Sequence, residues 1–285
     1  MTDRIPASVL IPTIGRPALL RALLESIRAG DTWPAEVVVV DQSEDGETKA
    51  VVANFADLNA RVVDAERRGV AHARNVSLRA AGNDWILGVD DDCTVAPDWV
   101  RQCWDHLQRD PTAILTGRVP QAGAEGEKIW SRDDPSPRDY TGTLNCAALY
   151  PANMAADRRA ILELGGFDER LPAAEDNDLT YRWLRAGRRL VYQPDLLVWH
   201  HAWRSSEELN RIYVGYGRAQ GAFYAKHLRR GDLRMLRFIL SDLLHAVGGL
   251  VAGAIRGGPL WTYWRRGIIF GLPGGFVEGW RTFRP

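Results

Sequence analysis

Residues 85–99 read WILGVDDDCTVAPDW. An apolar run, Ile86 to Val89, passes directly into three adjacent carboxylates, Asp90, Asp91 and Asp92. Like charges at that spacing repel, and each loses hydration at the mouth of a core, so something cationic is expected beside them. The plainer reading of an acidic triplet is a solvated charge run, and the flanking sequence has to decide between the two.

Upstream, apolar runs bounded by turn residues alternate with segments of helical period. Ser8 to Ile11 and Ala60 to Val63 read as strands, and Val37 to Val40 is a β-branched run of the kind buried on both faces. Ala18 to Ile27 sets Leu19, Leu20, Leu23, Leu24 and Ile27 on one helical face, with Pro17 suited to the first turn. Val70 to Ala81 and Pro97 to Gln108 read as helices, and Trp85 to Val89 as a strand. This β-α-β-α alternation predicts an α/β fold with a mixed, mostly parallel sheet flanked by helices. Ligands of such sheets sit beyond the carboxyl ends of the strands, which is where Thr13, Asp41 and the acidic triplet fall.

A polar stretch bearing Gly and Pro, Gln121 to Pro137, reads as a mobile loop and opens a second half. It continues with an apolar segment (Leu144 to Tyr150), a helix (Arg158 to Leu164), the turn GGFDE, and a helix from about Glu175 to Ala186 stopped by Gly187. Strands around Leu190 to Tyr192 and Leu196 to Trp199 close it. The expected division is 1–204, with halves 1–119 and 120–204, followed by a helical region, 205–285.

The 285 residues carry no net charge, so no global field points to nucleic acid. The balance is uneven, however. From His200 onward thirteen basic residues face five acids, a net +8. Cys93, Cys103 and Cys146 form no C-x-x-C pair, which fits a reducing, cytoplasmic setting. The opening MTDRIPASVLIPTIG lacks the basic start and long apolar core of a signal peptide, so no export is expected.

Four further pieces bear chemistry. Asp41 ends VVVVD and can accept from a nucleobase edge or a ribose hydroxyl, or else serve as a turn residue in DQSEDG. Arg74, in RGVAHARN, can approach a base or phosphate, or be a surface arginine. In AAEDNDLTYRWLRAG, Asp178 and Arg182 are four apart and can pair, while Leu179 and Trp183 share a buried face. Glu175 there suits the helix dipole, whereas Asp176 can take a proton from a bound hydroxyl while the dipole keeps it ionised. LLVWHHAW ends an apolar run with His200 and His201, and imidazole beside carboxylates suits Mn²⁺ or Mg²⁺.

In order, "PTIGRP", "VVVVDQS", "GVAHARN", the D-x-D of Asp90 to Asp92, "NMAADRRAILELGGFDERL", "EDND" and a closing "WH" resemble the inverting family 2 glycosyltransferases of the GT-A fold. The resemblance implies that Pro12, Thr13, Arg16, Asp41 and Arg74 hold a nucleotide sugar, with Asp90 on the ribose and Asp91 beside it. Asp92 would bind a divalent metal on the diphosphate, with His200 completing the shell; the doubled histidine leaves His201 as the alternative, and His200 is favoured because it directly ends the apolar run. Asp176 would be the general base, and Asn153, Gly166, Phe167, Asp168 and Glu175 would line the acceptor side. The implied reaction moves one sugar from a UDP-, dTDP- or GDP-sugar to a hydroxyl of a glycan or lipid-linked acceptor in bacterial cell-surface glycan assembly. Processive members carry Q-x-x-R-W after the base. YRWLRAG lacks the Gln, which favours a single transfer.

In the tail, Met235 to Ile255 is long enough to span a bilayer, yet Arg237, Asp242 and His245 make insertion costly, so an amphipathic helix on the membrane surface is expected. Trp261, Tyr263 and Trp264 beside Arg265 and Arg266 suit anionic headgroups. The competing arrangement is a helical subdomain packed on the core or on a second copy of the chain as a homodimer. The expected place is the cytoplasmic face of the cell membrane. Two other functions meet objections. A sugar nucleotidyltransferase needs a Gly-rich, basic loop after the first strand, and PTIGRP is glycine-poor. A non-catalytic membrane adaptor has no need of Asp90, Asp92, Asp176 and His200 together.

Overall fold

The computed structural model describes residues 3–122, 131–256 and 262–284. Most of the middle of the polar stretch, 123–130, and Trp261 lie outside the described residues. The chain divides into two compact units: residues 1–169 with 176–203, and residues 170–175 with 204–285.

In the first unit the elements follow in the order β1 (Asp3–Thr13), α1 (Pro17–Arg28), β2 (Thr32–Asp41), α2 (Glu47–Val52), β3 (Ala60–Asp64), α3 (Val70–Ala80), β4 (Trp85–Gly88), β5 (Cys93–Val95), α4 (Trp99–Arg109) and β6 (Ile114–Arg118). Short strands β7 (Gln121–Ala122) and β8 (Arg138–Asp139) precede β9 (Met154–Asp157), α5 (Arg158–Glu163), α6 (Glu175–Arg185) and β10 (Leu190–His201). The sheet runs β3-β2-β1-β4-β9-β6-β10-β5, with β7 and β8 also on β10. β3, β2, β1 and β4 are parallel, and β9 lies antiparallel between β4 and β6. This is the mixed, mostly parallel sheet the sequence predicts.

The valine run explains why the sheet is covered on both sides. Side chains alternate along a strand, so Val37 and Val39 enter one core and Val38 and Val40 the other, all four fully buried. Val9 and Ile11 of β1 alternate with Leu10 in the same way. One core receives Leu20, Leu23, Leu24 and Ile27 of α1 and Trp99 and Cys103 of α4, and the other Ala73 and Leu78 of α3 and Leu179 and Trp183 of α6. Fully burying each such side chain is worth roughly 1.5–3 kcal/mol, so both faces hold the strand ends in place.

Two parts of the sheet differ from expectation. Residues 190–201 form one strand rather than two, irregular between Gln193 and Leu197, where Pro194 has no N–H to give the ladder. A Cβ at Gly117 would strike Leu196 and fall 2.6 Å from the Asn153 amide nitrogen, so a glycine lets this irregularity approach β6. And β9, a sheet-centre strand, is only four residues long.

In the second unit α7 (Ser206–Arg229), α8 (Arg234–Arg256), α9 (Tyr263–Arg266) and α10 (Leu272–Thr282) follow, with a π-helical turn, Gly267–Gly271, before α10. Ser205 caps α7 in a reciprocal box with Glu208. Glycines at 267, 271, 275 and 279 bring α10 and the π turn against α7. A Cβ at Gly267, Gly271 or Gly275 would collide with the carbonyls of Tyr213, Val214 or Arg218, and one at Gly279 would strike the Ala222 backbone. Arg218 also pairs with Glu278 across this contact.

Candidate active site

The acidic triplet stands where β4 ends, and its compensating cations are arginines. Asp91 is fully buried, and Arg16, just before α1, donates to its Oδ2 through Nε at 3.0 Å, with Nη2 in ion-pair contact 2.6 Å from Oδ1. The Thr13 hydroxyl at the end of β1 donates to Asp91 Oδ2 at 2.6 Å. Asp91, expected on the nucleotide sugar, is thus a buried anchor, and Thr13 spends its hydroxyl on that anchor. Burial pushes the Asp91 pKa up to about 7 against the pull of Arg16 and Thr13, and the charges of Asp92 and Asp90 add to the rise. Arg74 donates to Asp90 at 2.9 Å, with its guanidinium 5.7 Å from the Phe167 ring centroid. These two guanidinium groups supply the charge that the triplet demands.

Asp92 meets β10. His200 Nε2 stands 3.3 Å from Asp92 Oδ1, and its Nδ1 is 3.4 Å from the Tyr150 hydroxyl. His201 points elsewhere, to the Thr94 hydroxyl at 2.9 Å, as alternate residues of a strand must. Burial works to raise the Asp92 pKa, but the hydrogen bond and charge of His200, the Trp203 indole and Arg16 overcome it and hold the carboxylate well below its usual range. Asp92 is therefore an ionised carboxylate beside an imidazole. Among the described residues no three His, Cys, Asp or Glu side chains converge. One oxygen and one nitrogen would supply only part of a dication's ligands, so a dication held here would need the rest from a bound diphosphate or water.

The other predicted residues divide. Pro12, Arg74, Asp90 and Phe167 line one cleft, floored by Leu10, Gly88 and Met154. Asp41 is buried, and its Oδ1 accepts from the Ser43 N–H at 2.9 Å and the Ser43 hydroxyl at 2.5 Å, which is the turn role. Asp176 is half-buried in the first turn of α6 and accepts from the Asn177 N–H at 2.8 Å. Its pKa is raised: desolvation outweighs the opposing charge of Arg74, and Asp90 adds to the rise. The dipole was expected to keep it a weak base, but burial makes it a stronger one.

On the expected acceptor side, Asn153 is a correction. It is fully buried, donates to the carbonyls of Arg118 at 3.0 Å and Leu196 at 2.7 Å, and accepts from Trp99 Nε1 at 2.9 Å, so its amide is spent on the scaffold. The GGFD turn is likewise clamped. Gly166 has φ +67°, and a Cβ there would lie 2.6 Å from Asn75 Oδ1, which accepts from the Phe167 N–H. Arg182 pairs with Asp178 at 2.7 Å, as the spacing predicts, and donates to the carbonyls of Leu164 and Gly166. Asp168 is half-buried in this turn, and Glu175 is buried and groups with the second unit. Trp203 and Tyr150, which no motif singled out, both reach the Asp92–His200 pair.

The glycosyl transferase family 2 model matches residues 8–165, more than half of the chain. The chain belongs to glycosyltransferase family 2. This family 2 chain is 30% identical over 204 residues to a pre-mycofactocin glycosyltransferase of Mycobacterium tuberculosis, a match covering 68% of this chain and 42% of the relative, so it spans under half of that protein's length. It is 25% identical over 260 residues to the succinoglycan biosynthesis protein ExoA of Rhizobium meliloti, covering 86% of this chain and 77% of ExoA. Its fold is similar to that of the mannosyltransferase PcManGT from Pyrobaculum calidifontis in complex with GDP-Man and Mn²⁺. The TM-score is 0.65 at 23% identity, covering 98% of this chain and 88% of that one. The architecture is GT-A-like.

Proposed function

We propose that this chain is a metal-dependent inverting glycosyltransferase that moves one sugar from a nucleoside-diphosphate sugar to a hydroxyl of a glycan or lipid-linked acceptor. The observation that carries the reading is the convergence at the strand ends. An ionised Asp92 stands beside His200, and an Arg74–Asp90 pair borders a cleft whose neighbouring carboxyl, Asp176, has a raised pKa. The Mn²⁺ and GDP-mannose named for the Pyrobaculum enzyme support the same ligand class here.

Asp92 and His200 would hold the dication, which when bound meets the negative charge that grows on the departing diphosphate. Asp90 is half-buried, with one oxygen on Arg74, and can accept from ribose hydroxyls. Asp176 accepts the proton of the attacking hydroxyl. Its raised pKa brings it nearer the operating pH, where a general base is most effective, and the Asn177 N–H orients it.

The second unit supports work at the inner face of a membrane. α8 is long and apolar enough to cross one by length and composition, yet most of it is uncovered in the structure. Leu236, Leu240, Leu244, Val247, Val251 and Ile255 recur at helical spacing and are exposed, Ile255 at 78%. With the net +8 from His200 onward, this face suits adsorption to anionic lipid rather than spanning, and a lipid-linked acceptor would be met there. A thermal-shift panel of UDP-, GDP- and dTDP-sugars with and without Mn²⁺ tests the donor reading. One nucleotide class should raise Tm in a Mn²⁺-dependent way, and no shift with any of them would contradict it.

A further inference from the structure

The turn between β1 and α1 is held from two sides. On one side the Thr13 hydroxyl and Arg16 Nε bond Asp91 Oδ2, and Arg16 Nη1 bonds Asp92 Oδ2 at 3.2 Å. On the other side the Gly15 N–H donates to Ser43 Oγ at 2.8 Å. The Ser43 hydroxyl gives its one proton to Asp41 Oδ1, which leaves its lone pairs for Gly15, so Asp41 sets the direction of that contact. The Ser43 N–H donates to the same Asp41 oxygen at 2.9 Å, which fixes the serine at two atoms. Gly15 takes φ +58°, a left-handed conformation that costs glycine little, so neighbouring residues of the turn bond the end of β2 and the acidic triplet.

We infer that Ser43 is a positioning residue of the donor site: its hydroxyl, aimed by Asp41, holds the Gly15–Arg16 turn so that the Arg16 guanidinium meets Asp91 and Asp92 together. Arg16 depends on such a hold because its planar fork serves two carboxylates at once, with Nε and Nη2 on Asp91 and Nη1 on Asp92, a match that a shifted backbone would lose. The charge beside Asp92 is thereby tied to the end of β2. This rests on the reading of the strand ends as a donor site, and the test separates the two claims.

Calorimetry with Mn²⁺ and UDP, GDP or dTDP, whichever the wild-type chain binds most tightly, is run on wild type, Ser43→Ala, Ser43→Thr, Arg16→Lys and the double variant Ser43→Ala with Arg16→Lys. Lysine keeps a cation beside the buried Asp91 but has no fork to align. Ser43→Ala should weaken binding about three- to tenfold, the range for losing one hydrogen bond. Ser43→Thr keeps the hydroxyl and should restore most of the affinity. In the Arg16→Lys background the alanine change should cost less than about twofold, because residues that act through one another are not additive. Unchanged affinity in Ser43→Ala, a threonine variant no better than the alanine one, or a loss as large in the Arg16→Lys background as in wild type would each overturn the inference and leave the donor reading standing. Failure of wild type to bind any of the three diphosphates overturns both.

Discussion

Arg74 is the charge that opposes protonation of Asp176, while burial of that carboxyl drives its pKa upward. The same guanidinium bonds Asp90 at 2.9 Å, so one side chain acts on both Asp90 and the proposed base. Asp176 must be ionised to accept a proton, so turnover falls as pH drops through its pKa. Arg74→Gln removes the lowering influence and should move the acid limb of the kcat profile to higher pH, whereas Arg74→Lys keeps a charge and should move it less. A pH–kcat profile of the three proteins checks this. An unmoved limb in Arg74→Gln would detach Arg74 from the base.

The Asp92–His200 contact at 3.3 Å predicts a graded loss of metal-dependent binding. Calorimetry with Mn²⁺ and a nucleoside diphosphate should show none for Asp92→Asn and weakened binding for His200→Ala. His201, turned to Thr94, should be replaceable by Ala with much smaller effect. Equal losses at His200 and His201 would reverse their assignment.

Away from the cleft, Glu36 on β2 accepts from the Ser8 hydroxyl at 2.7 Å, the Gly82 N–H at 2.6 Å and Arg61 Nε at 3.1 Å. Burial would raise its pKa, but these partners together hold it below the ordinary carboxylate value. A depressed folded-state pKa gives stability that is present above the unfolded value and lost as pH falls through the folded one. Glu36→Gln should therefore cost about 1–3 kcal/mol near neutral pH, with the gap to wild type closing in acid. Denaturant melts at pH 7 and pH 4 measure it, and a gap that widens in acid would contradict the sign.

Much of this was legible in the sequence because the signals were local. Val37 to Val40 announces a strand buried on both faces, and Asp178 with Arg182 announces a helical pair. β9 was not legible: Met154 to Asp157 is four residues, three of them in MAA, and its place between β4 and β6 is decided by tertiary pairing. Arg16 as the cation of the triplet was hidden by the 75 residues separating it from Asp91. Asn153 stood inside a motif, and nothing in its neighbourhood reveals that Trp99 and two carbonyls consume its amide. Trp203 carried one faint sign, its position just after the doubled histidine.

The exposed face of α8 makes a prediction about surfaces. Leu240→Glu with Leu244→Glu alters two residues that are 58% and 62% exposed, so the helices should stay folded. Sedimentation with phosphatidylglycerol vesicles should fall severalfold, since each change adds a negative charge and removes an apolar contact. This pair is a cleaner probe than truncation after α7, which would strip the glycine-lined α10 from its seat. Undiminished sedimentation would point to a second copy of the chain, or other protein, as the partner of this face.

Asp176→Asn tests the central claim most directly. The change keeps the size of the side chain and an oxygen for the Asn177 N–H, so folding and Mn²⁺-dependent nucleotide affinity should persist. With the donor class identified by thermal shift, the rate of Mn²⁺-dependent release of nucleoside diphosphate in the presence of a glycan acceptor is compared with wild type. The expected result is a loss of about 10²-fold or more in kcat, the scale of removing a general base, with nucleotide affinity within about twofold, because a side chain acting only on the acceptor proton contributes little to ground-state binding. Near-normal turnover by Asp176→Asn would contradict the account.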